Sequence, residues 1–133
     1  MKIKVDTKEK FKVWRPEEAA FSVKMAEAIT TNVIESFREP SKSAIIDFSA
    51  VLTAERQALI DLATLHQLCY KNQASLVLFD VCVAVKQEME ALKLTDVFNL
   101  TPSESEAWDV VQMEEIEREL FGDLGGIEAK AEE

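Results

Sequence analysis

Histidine and cysteine, two side chains that often carry out chemistry, are both scarce in this sequence. His66 is the only histidine, and Cys69 follows it three residues later, so the two would share one face of a helix. A zinc site needs about four ligands, and no further histidine or cysteine lies at short spacing. We therefore expect no metal, no cofactor and no histidine-based triad, and we interpret His66 as a residue at the edge of a packed helix face.

Two aspartates could form a different kind of site, a carboxylate pair. Asp47 and Asp80 each follow a short apolar segment, near the carboxyl end of a predicted strand, where α/β folds often place catalytic groups. Neither has a lysine or histidine beside it, and aspartates at such places commonly cap loops and turns. We predict that the protein is not an enzyme, and a carboxylate pair is the weaker alternative.

The glycines and the charges exclude several classes of ligand. All three glycines, Gly122, Gly125 and Gly126, lie near the end, which excludes a P-loop and a dinucleotide fingerprint. The net charge is −10, of which residues 1–100 carry −1 and residues 101–133 carry −9. A chain of this sign repels phosphate backbones and anionic lipid, so we expect neither nucleic-acid nor membrane binding. The negative charge is compatible with binding to basic protein partners.

Length and composition indicate one globular domain. The chain has 133 residues, of which 47% are hydrophobic and 30% charged, and it has no apolar run long enough for a membrane span. The first residues, 1–12, alternate in polarity and lack the apolar segment of an export signal, so we expect a cytoplasmic protein. Cys69 and Cys82 lie in apolar surroundings and are interpreted as buried free thiols.

The hydrophobic periodicity predicts alternating strands and helices. A hairpin over residues 2–5 and 11–15 precedes a helix that Ser22 caps and Pro40 stops. Thr53 is predicted to cap the second helix, and Gly122 is predicted to end the last helix. The inward face of that last helix would be formed by Ala107, Trp108, Val111, Ile116, Leu120 and Phe121. Its water-facing side would carry Glu114, Glu115, Glu117 and Glu119. The elements predicted after the hairpin and the first helix are a strand at 43–49, a helix at 54–71, a strand at 76–79, a helix at 83–92, an extended piece at 97–100 and a helix from 101.

A strand, a helix and a second strand in this order form a right-handed crossover with a parallel pair. We therefore predict an α/β fold, with a mixed sheet of four to five strands packed by about four helices, mainly on one side. Residues 1–121 would form the domain, and we expect residues 122–133 to be a mobile acidic tail because they offer little apolar surface.

At this point the residues resemble those of a known family. The segments that carry the resemblance are Ile45–Val51, Leu76–Phe79, Leu92–Phe98 and Ser105–Asp109. In this order they resemble a STAS domain, the family of sulfate transporters and anti-sigma factor antagonists, over residues 2–121. The ending Met113–Leu120 is similar to that of single-domain STAS proteins of Bacteroidetes.

The resemblance implies a regulatory module in a partner-switching pathway. Similar family members bind an anti-sigma factor with a kinase fold, and phosphorylation turns them off. The family motif is Asp-Ser-Ser-Gly or Asp-Ser-Thr-Gly, and its second hydroxyl takes the phosphate. Here the motif aligns with Glu55, Arg56, Gln57 and Ala58, so the phosphoacceptor position is occupied by Gln57, which cannot be phosphorylated. The protein could thus be a constitutive antagonist. The alternatives are a decayed site that keeps only the fold, and an engineered change.

The partner surface is expected on the second helix. At about 100° per residue, Gln57, Ile60, Thr64 and Gln67 lie opposite Ala58, Leu62 and Cys69. The predicted partner-binding residues are Thr53, Glu55, Arg56, Gln57 and Ile60. The hydroxyls that could inherit phosphorylation are those of Ser49 and Thr53. The alternative function is a structural or adaptor subunit, which would support self-assembly, such as a homodimer, or a transport complex. The acidic cluster Glu114–Glu119 could also meet a basic partner.

Overall fold

The computed structural model describes the backbone of residues 2–132 and the side chains of residues 2–121. In this part of the chain the strands are β1 (Ile3–Thr7), β2 (Phe11–Pro16), β3 (Ala20–Phe21), β4 (Ser43–Asp47), β5 (Thr53–Ala54), β6 (Leu76–Phe79) and β7 (Asn99–Thr101). The helices are α1 (Val23–Ser36), α2 (Arg56–Lys71), α3 (Val83–Ala91) and α4 (Glu104–Glu132).

The larger sheet has five strands in the order β1-β2-β4-β6-β7. β1 and β2 form the predicted antiparallel hairpin, and the other neighbours are parallel. β4 and β6 lie inside the sheet, and almost all of their side chains are buried, which explains why their sequences are continuous apolar runs. The mixed sheet confirms the predicted α/β fold class.

The helices cover the two faces of the sheet unequally. Successive strand residues point to opposite faces, so Ile46 and Leu78 pack against α1, α2 and α3, whereas Ile45 and Val77 pack against α4. On the α4 side the helix contributes the buried Ala107 and Val111, together with the half-buried Trp108 and Val110. The prediction of helices mainly on one side is therefore confirmed.

The segment before α2 differs from the prediction. Thr53 does not cap the helix, because β5 pairs in parallel with β3 as a small second sheet, and the amide of Thr53 donates to the carbonyl of Ala19 at 3.0 Å. The N-cap is Glu55, whose side chain makes no capping hydrogen bond. The backbone pairing outweighs the local capping preference of threonine, which is only about 1 kcal/mol. The predicted cap of α1 is confirmed, since Ser22 Oγ accepts from the amide of Met25.

The bounds of α4 also differ from the prediction. Ser103 Oγ accepts from the amide of Glu106, and the helix begins at Glu104, after Pro102. Helical backbone continues through Gly122, so the predicted end at that residue is wrong. A glycine inside a helix costs about 1 kcal/mol relative to alanine and does not by itself end one. The expected mobile tail, 122–133, lies outside the described side chains and stays a prediction.

The inward face of α4 is narrower than predicted. Ile116, Leu120 and Phe121 are exposed by 61%, 55% and 50%, although the sequence analysis placed them in the core. Ile116 lies five residues after Val111, which rotates its position around the helix axis by about 140° beyond one full turn. Its side chain therefore points away from the side on which Val111 contacts the sheet. Glu114 is half-buried instead of facing water, and so is Glu115.

Candidate partner-binding site

The loop after β4 holds the residues that precede α2. The amide of Ser49 donates to Asp47 Oδ1 at 2.8 Å, and the amide of Val51 donates to the carbonyl of Phe48 at 3.0 Å. Phe48 and Val51 are buried, whereas Ser49 and Ala50 are exposed at the apex of the loop. Two buried anchors therefore hold a short exposed turn at the carboxyl edge of the sheet.

We define the α2 surface as the five predicted partner-binding residues, all of which are exposed: Thr53, Glu55, Arg56, Gln57 and Ile60. The first two precede the helix, and the other three lie on its first turns. The face opposite Ile60 is part of the core, where Ala58, Leu59 and Leu62 are fully buried. The structure thus brings the predicted residues together, and Ile60, 38% exposed, is an apolar side chain in a polar field.

Two polar contacts orient the side chains of the α2 surface. Gln57 Nε2 donates to Asp61 Oδ1 at 2.9 Å, one turn later on the same helix. Arg56 Nε donates to Glu88 Oε2 at 3.0 Å and so connects α2 with α3. Both contacts are exposed and contribute little stability, but they leave the apolar Ile60 uncovered.

Two apolar residues that the sequence analysis missed flank this surface. Leu52, before β5, is 59% exposed, and Val83, the first residue of α3, is 69% exposed. The thiol of Cys82 lies 3.5 Å from the carbonyl oxygen of Leu52, which places the two loops side by side. The available signal was topological, because loops that follow neighbouring parallel strands meet at the same edge of the sheet. Cys82 itself is half-buried, not fully buried as predicted.

The two aspartates at the strand ends have structural roles. Asp47 Oδ2 accepts from Arg15 Nη1 at 3.1 Å, while its other oxygen caps the loop. This confirms the loop-capping interpretation of Asp47. Asp80 lies in a turn with a φ of 56°, a conformation that aspartate tolerates better than most residues. Neither arrangement resembles a carboxylate pair sharing a proton.

His66 and Cys69 are packing residues of α2. His66 is 7% exposed, and its ring centroid lies 4.6 Å from that of Tyr70 and 6.3 Å from that of Phe98. Burial lowers the pKa of His66, which favours the neutral imidazole, and burial raises the pKa of the Cys69 thiol to about 12. Within the described residues no group of three histidine, cysteine, aspartate or glutamate side chains could hold a metal ion.

The two candidate phosphorylation sites are both exposed. Ser49 lies at the apex of the loop after β4, and Thr53 lies in β5, two residues before the N-cap of α2. Neither is on the first turn of α2, which holds Gln57, the position that the resemblance implies for the phosphoacceptor. None of the helices in the described part of the chain is both long and apolar enough to cross a bilayer.

Several solved structures share this fold. A Thermotoga maritima protein provisionally assigned as an anti-sigma factor antagonist superposes with a TM-score of 0.72 at 12% identity, over 83% of this chain and 94% of that one. SpoIIAA of Bacillus, an anti-sigma factor antagonist, superposes with a TM-score of 0.68 at 13% identity, over 84% of this chain and 96% of that one. The murine anion transporter Slc26a9 gives 0.62 at 16% identity, over 80% of this chain but 18% of the transporter. At such identities the similarity establishes the fold alone.

The sequence comparison identifies the family. No curated protein sequence matches the chain significantly. The family model of the STAS domain matches residues 2–107, which include all strands of both sheets, the first three helices and the start of α4. The chain therefore belongs to the STAS domain family.

Proposed function

We propose that this STAS domain is a non-enzymatic regulatory module that binds a protein partner through the α2 surface. The observation that supports it is the grouping of exposed side chains on one face of α2, whose opposite face is buried in the core through Ala58, Leu59 and Leu62. Ile60, Leu52 and Val83 are exposed apolar residues, and Glu55 and Arg56 are exposed charged residues at the start of α2. Apolar anchors inside a polar rim are typical of protein interfaces, in which a few residues carry most of the binding free energy.

The partner that we propose is an anti-sigma factor with a kinase fold, in a cytoplasmic partner-switching pathway. Two of the similar structures are described as anti-sigma factor antagonists, and both are covered almost completely by this chain. The Glu55 side chain makes no capping hydrogen bond to the first amides of α2. Such a helix start favours a partner that presents acceptor groups.

In this proposal the interaction is constitutive. Gln57 occupies the position of the phosphoacceptor and has no hydroxyl, and its amide is engaged with Asp61. A phosphate at that position would add a charge of about −2 to the interface and would oppose binding. A neutral amide corresponds to the unphosphorylated, binding-competent state. If the site has decayed instead, the α2 surface will bind no such partner.

The test is isothermal titration calorimetry with the partner purified from the native host. Gln57→Glu adds a carboxylate without entering the core, and we expect it to weaken binding about tenfold, by charge repulsion. Ile60→Asp should weaken binding further, because it buries an unpaired charge under the partner. Gln112→Glu, the same change on the exposed part of α4, is the matched control and should leave the affinity unchanged. Equal affinities for wild type, Gln57→Glu and Ile60→Asp would contradict the proposal.

A second candidate function is a structural or adaptor subunit, which would support self-assembly as a homodimer or a transport complex. It is favoured by the similarity of the fold to part of the transporter Slc26a9. Affinity purification from the host followed by mass spectrometry separates the candidates. A kinase-fold protein supports switching, whereas transporter components support the adaptor. Sedimentation velocity of the purified chain shows whether it self-associates.

A further inference from the structure

The outer side of α4 carries a concentration of exposed apolar side chains. Met113, Ile116, Leu120 and Phe121 are exposed by 59%, 61%, 55% and 50%. They are four of the ten large apolar side chains that are exposed in the described part of the chain. The spacing of three and four residues places Met113, Ile116 and Leu120 in one row along the helix. We call these four residues the α4 stripe.

The α4 stripe cannot turn into the core, because contacts on the inner side fix the rotation of the helix. Val111 is buried against the sheet, and Glu114 accepts hydrogen bonds from Tyr70 and Asn99. One turn later Arg118 Nη1 donates to Ser75 Oγ at 3.1 Å. Rotation of the helix would break all of these contacts, so the exposure of the stripe is a consequence of the fold.

An apolar groove continues from the stripe. It lies between the β1–β2 turn and α4 and has a volume of about 480 Å³. Its apolar lining consists of Phe11, Trp108, Val111 and Ile116, and charged residues of the turn and of α4 complete it. Phe11 and Trp108 form its floor, with their ring centroids 5.0 Å apart, and Lys8 Nζ lies 5.6 Å from the centroid of Trp108. Ile116 belongs to both the groove and the stripe, so the two form one surface.

The charges on α4 beside the stripe are acidic, whereas the basic residues of the groove belong to the β1–β2 turn, where Lys8 contacts Trp108 and Lys10 pairs with Glu115 at 3.7 Å. Glu106, Asp109, Glu117 and Glu119 are exposed on α4, and Arg118, the only basic residue between 101 and 129, is directed inward to Ser75. Residues 101–133 together carry a net charge of −9. A second copy of this helix would bring the same charge to the interface, and an anionic membrane would be repelled in the same way. A basic partner would be attracted.

We propose that the α4 stripe is a docking surface for a basic amphipathic helix of a protein partner. The apolar side of that helix packs on Met113, Ile116 and Leu120, with one side chain entering the groove beside Trp108, and its flanking lysines or arginines pair with Asp109 and Glu117. α4 lies on the opposite face of the sheet from α2, so this surface is separate from the α2 surface. The domain can hold two partners at once and connect them.

The experiment uses the full chain and two synthetic helical peptides, one of leucine and lysine at heptad spacing and one with glutamate in place of each lysine. Binding is measured by fluorescence anisotropy, and the site is mapped by amide chemical shifts of the labelled protein. We expect the lysine peptide to bind, with affinity that falls as salt rises, and to shift the amides of Met113, Ile116 and Leu120 but not that of Ile60. The glutamate peptide should not bind.

Matched variants separate the stripe from general charge attraction. Ile116→Ser and Leu120→Ser should each weaken binding of the lysine peptide about tenfold, whereas Ile34→Ser, at an exposed isoleucine of α1, should not. Because all three side chains are exposed, the variants should fold, which circular dichroism verifies. Asp109→Lys with Glu117→Lys should also weaken binding.

The proposal is overturned if the lysine peptide does not bind, if Ile34→Ser weakens binding as much as Ile116→Ser does, or if the shifted amides lie elsewhere. It is also overturned if sedimentation velocity shows a dimer that Leu120→Ser dissociates, since a second copy then covers the stripe. Sedimentation with vesicles of phosphatidylcholine and phosphatidylglycerol that depends on Ile116 would assign the stripe to a membrane instead. None of these results affects the α2 surface, which is tested by Gln57→Glu and Ile60→Asp.

Discussion

The guanidinium of Arg15 donates two parallel hydrogen bonds to the carboxylate of Glu104, at 2.8 Å and 3.1 Å, across 89 positions of sequence. The same guanidinium contacts Asp6 and Asp47. It therefore connects both strands of the hairpin, the end of the central strand β4 and the first residue of α4. Asp47 also holds the loop that leads to the α2 surface, so the cluster positions the candidate site.

A double-mutant cycle should detect the coupling between these two residues. Arg15→Gln and Glu104→Gln should show a coupling free energy of about 1 kcal/mol, because the contact is bidentate and partly buried. The exposed pair Arg56 and Glu88 is the control, and its coupling should be about 0–0.5 kcal/mol. Urea unfolding of the single and double variants measures both values. Equal coupling free energies in the two pairs would contradict the expectation that the bidentate geometry of Arg15 and Glu104 strengthens their interaction.

The core and the surface of α2 should respond differently to truncation. Leu62 is fully buried, so Leu62→Ala should lower the free energy of unfolding by about 2–5 kcal/mol. Gln57 is exposed, so Gln57→Ala should change it by less than about 1 kcal/mol. Denaturant unfolding of both variants is the measurement. A severe loss for Gln57→Ala would mean that this residue is structural and that the partner-binding interpretation of it is wrong.

His66 should make stability depend on pH. Burial lowers the pKa of His66 in the folded protein, so the unfolded chain binds a proton first as pH falls. The stabilising contribution is complete above the unfolded pKa of about 6.5 and is lost as pH falls through the lower, folded value. We expect the free energy of unfolding to decrease between about pH 7 and 5, where few other side chains titrate. His66→Gln should flatten the slope in this range, and an unchanged slope would assign it to other groups.

The two thiols should differ in reactivity. The pKa of Cys69 is raised to about 12 by burial, whereas Cys82 is half-buried beside Leu52. Because the thiolate is the reactive form, iodoacetamide should modify Cys82 before Cys69 in the folded protein. Mass spectrometry of digested samples gives the order, and both thiols should react in denaturant. Modification of Cys69 first would contradict its placement in the core.

Phosphorylation, if a cognate kinase is supplied, should occur away from position 57. Ser49 and Thr53 are the nearby exposed hydroxyls that could inherit the switch. Peptide mapping after incubation with the kinase locates the phosphate, and Ser49→Ala and Thr53→Val identify the site by its loss. Stoichiometric phosphate on another part of the fold would contradict this account of the site.

Local sequence patterns were sufficient for the order of the helices and of the strands of the larger sheet, and for the outward face of α2. The short apolar runs at β4 and β6, bounded by polar and turn residues, are typical of buried strands between two layers. The helical period places Ala58 and Leu62 opposite Gln57 and Ile60 whatever the rest of the chain does. The family resemblance depended on the same local segments. These features were predictable because residues close in sequence determine them.

Other features depended on contacts between distant segments. Thr53 became part of a strand because the backbone after Pro16 lies beside it, which no local preference reveals. Leu52 and Val83 became neighbours because β4 and β6 are adjacent parallel strands. The rotation of α4 was decided by Glu114 and Arg118, whose partners are Tyr70 in α2 and Ser75 in the loop before β6. That rotation exposed Ile116 and Leu120. Periodicity shows that a helix has an apolar side, but only tertiary packing determines which of its apolar residues the sheet can cover.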